Sequence, residues 1–147
     1  MSFSTRWKRL KDNFFSFSGR TTRKEFWTFY PIYIFFAILA TFLFCLLIML
    51  APIFIMWIVV GLYVGLSIAF GISMYALLTR RLHDVGKSGK WVFVLFILNI
   101  FTKINVIAVI SVIYLVYILY LCSKKSVPDN KYGTQWNETK IPTARNI

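Results

Sequence analysis

An uncharged stretch of 54 residues between Glu25 and Arg80 restricts the folds that this chain can adopt. A helix needs about 20 residues to cross the ~30 Å hydrocarbon core of a bilayer. The stretch is too long for one membrane helix and suits two, joined by a short turn. We predict the first helix at about residues 27–48 and the second at about 57–78, with the turn near Pro52.

The charged residues lie in clusters that flank the uncharged stretches. The chain has 17 Lys+Arg against 5 Asp+Glu, a formal net charge of +12, and 59% of its residues are hydrophobic. The net charge is +5 over residues 1–25 and +3 over each of 80–90 and 124–147. This hydrophobic content excludes intrinsic disorder. Because cytoplasmic segments of membrane proteins are rich in Lys and Arg, we expect all three clusters to be cytoplasmic, and we expect no nucleic-acid partner.

The stretch 91–122 allows two interpretations. Its 32 residues are uncharged except for Lys103. One helix of that length would span about 48 Å and would place the lysine at mid-depth, at a cost of about 2.5–3.5 kcal/mol. A turn at 102–105 instead gives membrane helices at 91–101 and 106–122. An even number of crossings also keeps the basic clusters on one side.

We therefore predict an all-α integral membrane protein with four transmembrane helices in two hairpins, and three crossings as the alternative. Residues 1–123 form a single membrane domain, and 124–147 form a cytoplasmic C-terminal tail. Membrane lipids are the expected partners, with another membrane protein as an alternative. The oligomeric state stays open.

The N-terminal residues have the pattern of an amphipathic helix. Apolar side chains recur at spacings of three and four, at Phe3, Trp7, Leu10, Phe14 and Phe17. Basic side chains fall largely off this stripe. The pattern predicts a helix at 3–18 that lies in the membrane interface, with a helix packed on the rest of the protein as the alternative.

Local signals mark the start of the first membrane helix. Thr22 and Glu25 match the S/T-x-x-E capping box directly before the apolar run. Glu25 has Arg20, Arg23 or Arg81 as alternative partners. Gly19 suits the end of the N-terminal segment because glycine tolerates positive φ.

The densest polar stretch is residues 80–90, which hold the one histidine of the chain. We interpret it as a loop in which Gly86 and Gly89 permit sharp turns and Ser88 caps the next helix. The adjacent histidine and aspartate do not align with this serine as a catalytic triad. One histidine without nearby cysteines disfavours a zinc site. We therefore expect no catalytic residue, metal or cofactor.

Arginines from two clusters are expected to meet at one membrane face. Their planar guanidinium groups bind phosphate through paired hydrogen bonds. We predict a non-enzymatic protein that binds an anionic lipid headgroup or a partner protein there through Arg20, Arg23, Arg80, Arg81, His83 and Asp84. The alternative for these arginines is that they anchor topology and pair with acidic residues. The alternative functions are a small transporter or channel subunit, and a membrane-embedded enzyme acting on a lipid phosphate.

Three blocks along the chain form a recognisable pattern. Residues 17–27 fit F-x-G-R-x-x-R-x-E-[FY]-W, and residues 80–89 fit R-R-L-H-D-x-G-x-S-G. The third block lies in the tail and consists of Pro128, Asn130, Tyr132 and Gly133. Together they resemble the bacterial family called domain of unknown function 805, in which a tryptophan usually stands at the position of Lys90. The resemblance implies a small multi-span inner-membrane protein and brings no established activity.

Overall fold

The computed structural model describes residues 3–50, 52–101 and 105–133. These residues form five α-helices, which are α1 (Phe3–Asp12), α2 (Arg23–Leu50), α3 (Ile53–Asp84), α4 (Lys90–Ile100) and α5 (Asn105–Ser123). The described ranges contain no β-strand, and a single isolated bridge pairs Asn130 with Gly133. The predicted all-α class is confirmed.

Three of the helices, α2, α3 and α5, are long and apolar enough to cross a membrane. Helix α4 is apolar but has only 11 residues, which corresponds to about 16 Å, roughly half of a hydrocarbon core. Three spans are therefore supported, and a fourth crossing stays a prediction. Positions 102–104 of the predicted turn lie outside the described residues, and α5 begins at Asn105.

Helix α3 continues beyond its predicted end at residue 78 and includes Arg80 and Asp84. The interpretation of residues 80–84 as a loop is therefore wrong, and the connection to α4 consists of residues 85–89 only. The reason lies in the tertiary structure. The last two turns of α3 are buried against other segments, and Arg81, His83 and Asp84 have hydrogen-bond partners there. The helix therefore persists where polarity alone indicates a loop.

Helix α1 ends at Asp12 rather than continuing to residue 18. The side chain of Asn13 donates to the carbonyl of Arg9 at 3.0 Å, and such local bonds from asparagine compete with helix continuation. The helix packs against α2 through buried Leu10, and the Trp7 ring centroid lies 6.0 Å from that of Phe29. Packing on the protein, the alternative for this helix, is what the structure shows.

The start of α2, the ends of α3 and α5 and the start of α4 lie together at one end of the bundle, which we call the polar end. The backbone joins these elements: Thr21 N–H donates to the Arg80 carbonyl at 3.1 Å, and Val127 N–H donates to the Asp84 carbonyl at 3.0 Å. Buried side chains concentrate there, whereas most of the side chains along the middle of α2 and α3 are exposed. The buried core of the protein therefore lies at the polar end.

Candidate functional site

The first turn of α2 is fixed by reciprocal hydrogen bonds. The Glu25 amide donates to Thr22 Oγ1 at 3.2 Å, and the Thr22 amide donates to Glu25 Oε2 at 3.0 Å. This is the geometry of a capping box. The second carboxylate oxygen of Glu25 lies 3.1 Å from Arg9 Nη1. Glu25 therefore starts α2 and also holds α1, through an arginine that the sequence did not suggest as its partner.

Arg20, Arg81 and Asp84 form a buried group of charges that we call the Asp84 cluster. Arg20 Nε donates to Asp84 Oδ1 at 3.0 Å, and Arg81 Nη1 donates to Asp84 Oδ2. The Ser126 hydroxyl donates to the same Oδ2 atom. The aspartate side chain is 1% exposed, so one carboxylate compensates two guanidinium groups inside the protein.

Arg20 connects α3 to the segment that follows α5. Besides Asp84 Oδ1, it donates to the carbonyls of Asp84 at 3.2 Å, Val127 at 2.6 Å, Pro128 at 3.1 Å and Gly133 at 3.0 Å. A guanidinium has five N–H donors, and these five acceptors match them. Arg20 therefore has no donor left for an external anion.

Arg81 performs a similar role at the end of α5. Its Nε donates to the Cys122 carbonyl at 2.8 Å, and its Nη2 donates to the Lys124 carbonyl. Its Nη1 lies 3.5 Å from the Thr21 carbonyl, in addition to its contact with the carboxylate. The side chain is fully buried, so its bonds hold three segments together.

His83 has different partners from its neighbour in sequence. Its Nδ1 lies 3.2 Å from the Gly19 carbonyl, and its ring stacks on Tyr132 with centroids 3.8 Å apart. The Asn130 side chain donates to the His83 carbonyl at 3.0 Å. The imidazole therefore supports the segment after α5, while the adjacent Asp84 faces the two arginines.

Two glycines are required by the connection between α3 and α4. Gly86 has φ +76°, a conformation that favours glycine. A Cβ on Gly89 would lie 2.6 Å from Thr79 Cγ2, closer than carbon atoms approach. Ser88 Oγ accepts from the Lys90 amide at 3.3 Å, at the first residue of α4. Gly19 also has positive φ, at +85°.

A cavity of about 130 Å³ opens between α1, α2 and α3 at the polar end, and we call it the arginine cavity. Its polar lining includes Arg6, Arg9, Asn13, Ser18, Arg20, Glu25 and Arg80. Arg80 is 5% exposed, and its Nε has no hydrogen-bond partner within the described ranges. A buried donor without a partner is costly, so this atom distinguishes the arginine cavity from the Asp84 cluster.

Of the predicted binding residues, Arg80 lines this cavity with a free donor. Arg23 is exposed and lies outside the cavity lining, and its Nη1 is 3.4 Å from the Ser123 carbonyl. Arg6 and Arg9 also line the cavity, whereas the sequence pattern places them only on the basic side of an interfacial helix. Their spacing of three, which places side chains on one face of a helix, was the available signal.

The fold and these contacts define a helical protein with membrane-compatible spans whose polar end is held by buried arginines. The family described as Protein of unknown function (DUF805) matches residues 14–134, and the chain belongs to this family. The resemblance inferred from the three blocks is thus confirmed. No curated protein and no solved structure matches the chain.

The three blocks that carry the family pattern meet in space. Arg20 from the first block contacts Asp84 from the second and the Gly133 carbonyl from the third. His83 from the second stacks on Tyr132 from the third. The pattern therefore corresponds to one set of contacts that closes the polar end.

Proposed function

We propose that this chain is a membrane protein whose arginine cavity binds the phosphate group of an anionic lipid at the cytoplasmic face of the bacterial inner membrane. The observation that carries the proposal is the Arg80 Nε, which is buried without a hydrogen-bond partner in the part of the chain that the structure describes. A phosphate oxygen is a strong acceptor for such a donor.

The charge balance of the cavity supports an anionic ligand. Arg6, Arg9 and Arg80 face a single carboxylate, that of Glu25. Arg20 also lines the cavity, but its donors are bonded elsewhere. The three arginines and one acid leave an excess of two positive charges. A phosphomonoester, which carries up to two negative charges, would balance that excess and add acceptor oxygens.

The position of the cavity supports a lipid as the source of the phosphate. Arg80 is the first charged residue after the long uncharged stretch, so the cavity lies at the level where headgroups begin. Phe3 and Trp7 on the adjoining α1 are 57% and 42% exposed. Aromatic side chains of this kind favour the membrane interface.

The proposal assigns a binding role to fewer residues than the sequence analysis did. Arg80 binds the anion with Arg6 and Arg9, whereas Arg20, Arg81 and Asp84 hold the polar end closed. His83 supports the segment after α5 through Tyr132. Neither transport nor catalysis is favoured by a specific contact among the described residues, so lipid binding is the function we put forward.

The test is equilibrium binding of phosphatidic acid to the purified full chain in neutral detergent, measured by native mass spectrometry. We expect Arg80→Gln to weaken binding roughly tenfold, because a charge-assisted hydrogen bond is worth about 1.5–3 kcal/mol. Arg6→Gln, at a less buried position, serves as a second variant in case the first fails to fold. Phosphatidylglycerol, with one charge, should bind more weakly than phosphatidic acid.

Arg23→Gln is the matched control, because it removes the same charge from an exposed residue at the same end. Equal losses in Arg23→Gln and Arg80→Gln would show that general electrostatic attraction, rather than the cavity, holds the lipid. Unchanged binding in both Arg80→Gln and Arg6→Gln would also overturn the proposal. Displacement of the lipid by millimolar inorganic phosphate would show a site for free phosphate instead.

A further inference from the structure

A second cavity, of about 430 Å³, lies between α2, α3, α4 and α5, and we call it the intramembrane cavity. Its walls are mostly apolar and include Ile34, Leu78 and Leu95. None of its lining residues lines the arginine cavity. Its volume falls in the range of about 300–1,000 Å³ that is typical of small-molecule sites.

The hydroxyl group of Ser111 differs from those of Thr41 and Ser123 because it has no hydrogen-bond partner among the described residues. Serine and threonine in helices commonly donate to the carbonyl four residues earlier. Thr41 donates in this way to Ala37 at 2.8 Å, and Ser123 donates to Leu119 at 3.0 Å. Ser111 lines the cavity and is 5% exposed, yet its Oγ has no partner among residues 3–50, 52–101 and 105–133. Its hydroxyl is therefore free to bind a ligand.

The depth of Ser111 restricts the chemistry of that ligand. It lies three helical turns before the end of α5 at Ser123, a distance of about 18 Å. In a hydrocarbon core of about 30 Å, this is near the middle of the membrane. A charged group is costly at that depth, so the ligand is neutral and mostly apolar.

Other polar groups line the same cavity. Tyr75 and Asn99 are both part of the lining, and the Asn99 side chain donates to the Leu95 carbonyl at 2.8 Å. Tyr30 contributes a second phenol ring to the lining. Aromatic side chains of this kind pack favourably against a planar ring, and the free hydroxyl of Ser111 supplies a hydrogen-bond donor.

We propose that the intramembrane cavity binds a neutral compound of the quinone class, with a planar carbonyl-bearing ring on an apolar tail. A ring carbonyl accepts a hydrogen bond from the Ser111 hydroxyl, and the ring packs near Tyr30 and Tyr75. The apolar tail lies along the walls of the cavity. This binding is independent of the lipid phosphate site, because the two cavities share no residue.

The test compares three probes on the purified full chain in detergent, with equilibrium binding measured by native mass spectrometry. Decylubiquinone has both ring and carbonyls, methyl decanoate has a carbonyl without a ring, and decylbenzene has a ring without a carbonyl. We expect decylubiquinone to bind most tightly. We expect Ser111→Ala to weaken its binding about fivefold and to leave decylbenzene binding unchanged.

A second pair of variants tests the location. Gly71 lines the cavity, and a Cβ placed there would meet no atom within 4 Å, so Gly71→Phe should fill the space and abolish binding. Gly65→Phe and Ser67→Ala are matched controls at exposed positions of α3 and should leave binding unchanged.

Three results would overturn the proposal. Equal affinity of the wild-type chain for decylbenzene and decylubiquinone would remove the role of the carbonyl. Equal affinity for methyl decanoate would remove the role of the ring. Decylubiquinone binding that is unchanged in both Ser111→Ala and Gly71→Phe would place it outside the cavity. Thermal unfolding of each variant shows whether it is folded. If Gly71→Phe does not fold, the conservative variant Ser111→Ala still tests the proposal.

Discussion

Two groups of arginines lie at the same end of this molecule and have opposite donor balances. In the Asp84 cluster, Arg20 and Arg81 share one carboxylate, and both also donate to backbone carbonyls. In the arginine cavity, Arg80 is equally buried but keeps an unpartnered Nε in the described structure. Arg80 and Arg81 are adjacent in sequence, yet one faces a cavity and the other faces the protein interior.

Under the proposed lipid-binding function, the difference means that positive charge alone does not locate the binding site. A guanidinium whose donors are all bonded stabilises the fold, because its planar geometry connects several segments at once. A guanidinium with a free, buried donor is the one that a ligand can stabilise. The number of unpartnered donors is therefore a better criterion than the number of arginines.

The most severe test of this comparison is Asp84→Asn. The change leaves Arg20 and Arg81 buried without their carboxylate, and removing one partner of a buried ion pair costs about 3–5 kcal/mol. We expect a loss of that size in the free energy of unfolding, measured by denaturant titration in detergent. The control is Asp12→Asn at the exposed end of α1, where a change within about 0.5 kcal/mol is expected. Similar losses in the two variants would contradict a structural role for the cluster.

Gly89→Ala tests how closely the elements pack beside the Asp84 cluster. The added Cβ would lie 2.6 Å from Thr79 Cγ2, and such overpacking costs about 1–3 kcal/mol. Thr79→Ser removes that methyl group, so the double variant should recover most of the loss in the thermal unfolding midpoint. Gly61→Ala, where a Cβ meets nothing within 4 Å, should cause no loss. A failure of Thr79→Ser to rescue would indicate a different source of strain.

The smallest expected effect is that of Arg6→Gln on stability. Arg6 is only partly buried and donates to Thr28 Oγ1 at 3.0 Å, so we expect a loss below about 1 kcal/mol. Arg20→Gln, which removes bonds to four residues, should cost several times more. Both are measured by thermal unfolding without added lipid. Comparable losses would mean that the cavity is as structural as the cluster, and the comparison would fail.

Much of the local structure could be predicted because its causes are local. The capping residues Thr22 and Glu25 are three positions apart, so their mutual bonds follow from spacing. The ends of the helices are harder to predict from the sequence. Residues 80–84 look like a loop by polarity, but they remain helical because they are buried by segments distant in sequence. The partner of Glu25 was missed for the same reason, since Arg9 reaches it only after α1 folds back onto α2.

The absence of charge between Glu25 and Arg80 is enough to predict that this chain forms long apolar helices. A stretch of 54 residues without a charged side chain can enter the hydrocarbon core of a bilayer, and its backbone groups must then bond within helices. The packing of distant segments, in contrast, determines which arginines hold the fold, and it leaves Arg80 Nε without a partner among the described residues. That choice depends on carbonyls far along the chain, such as Gly133 for Arg20, and no pattern near an arginine records where distant backbone acceptors come to lie.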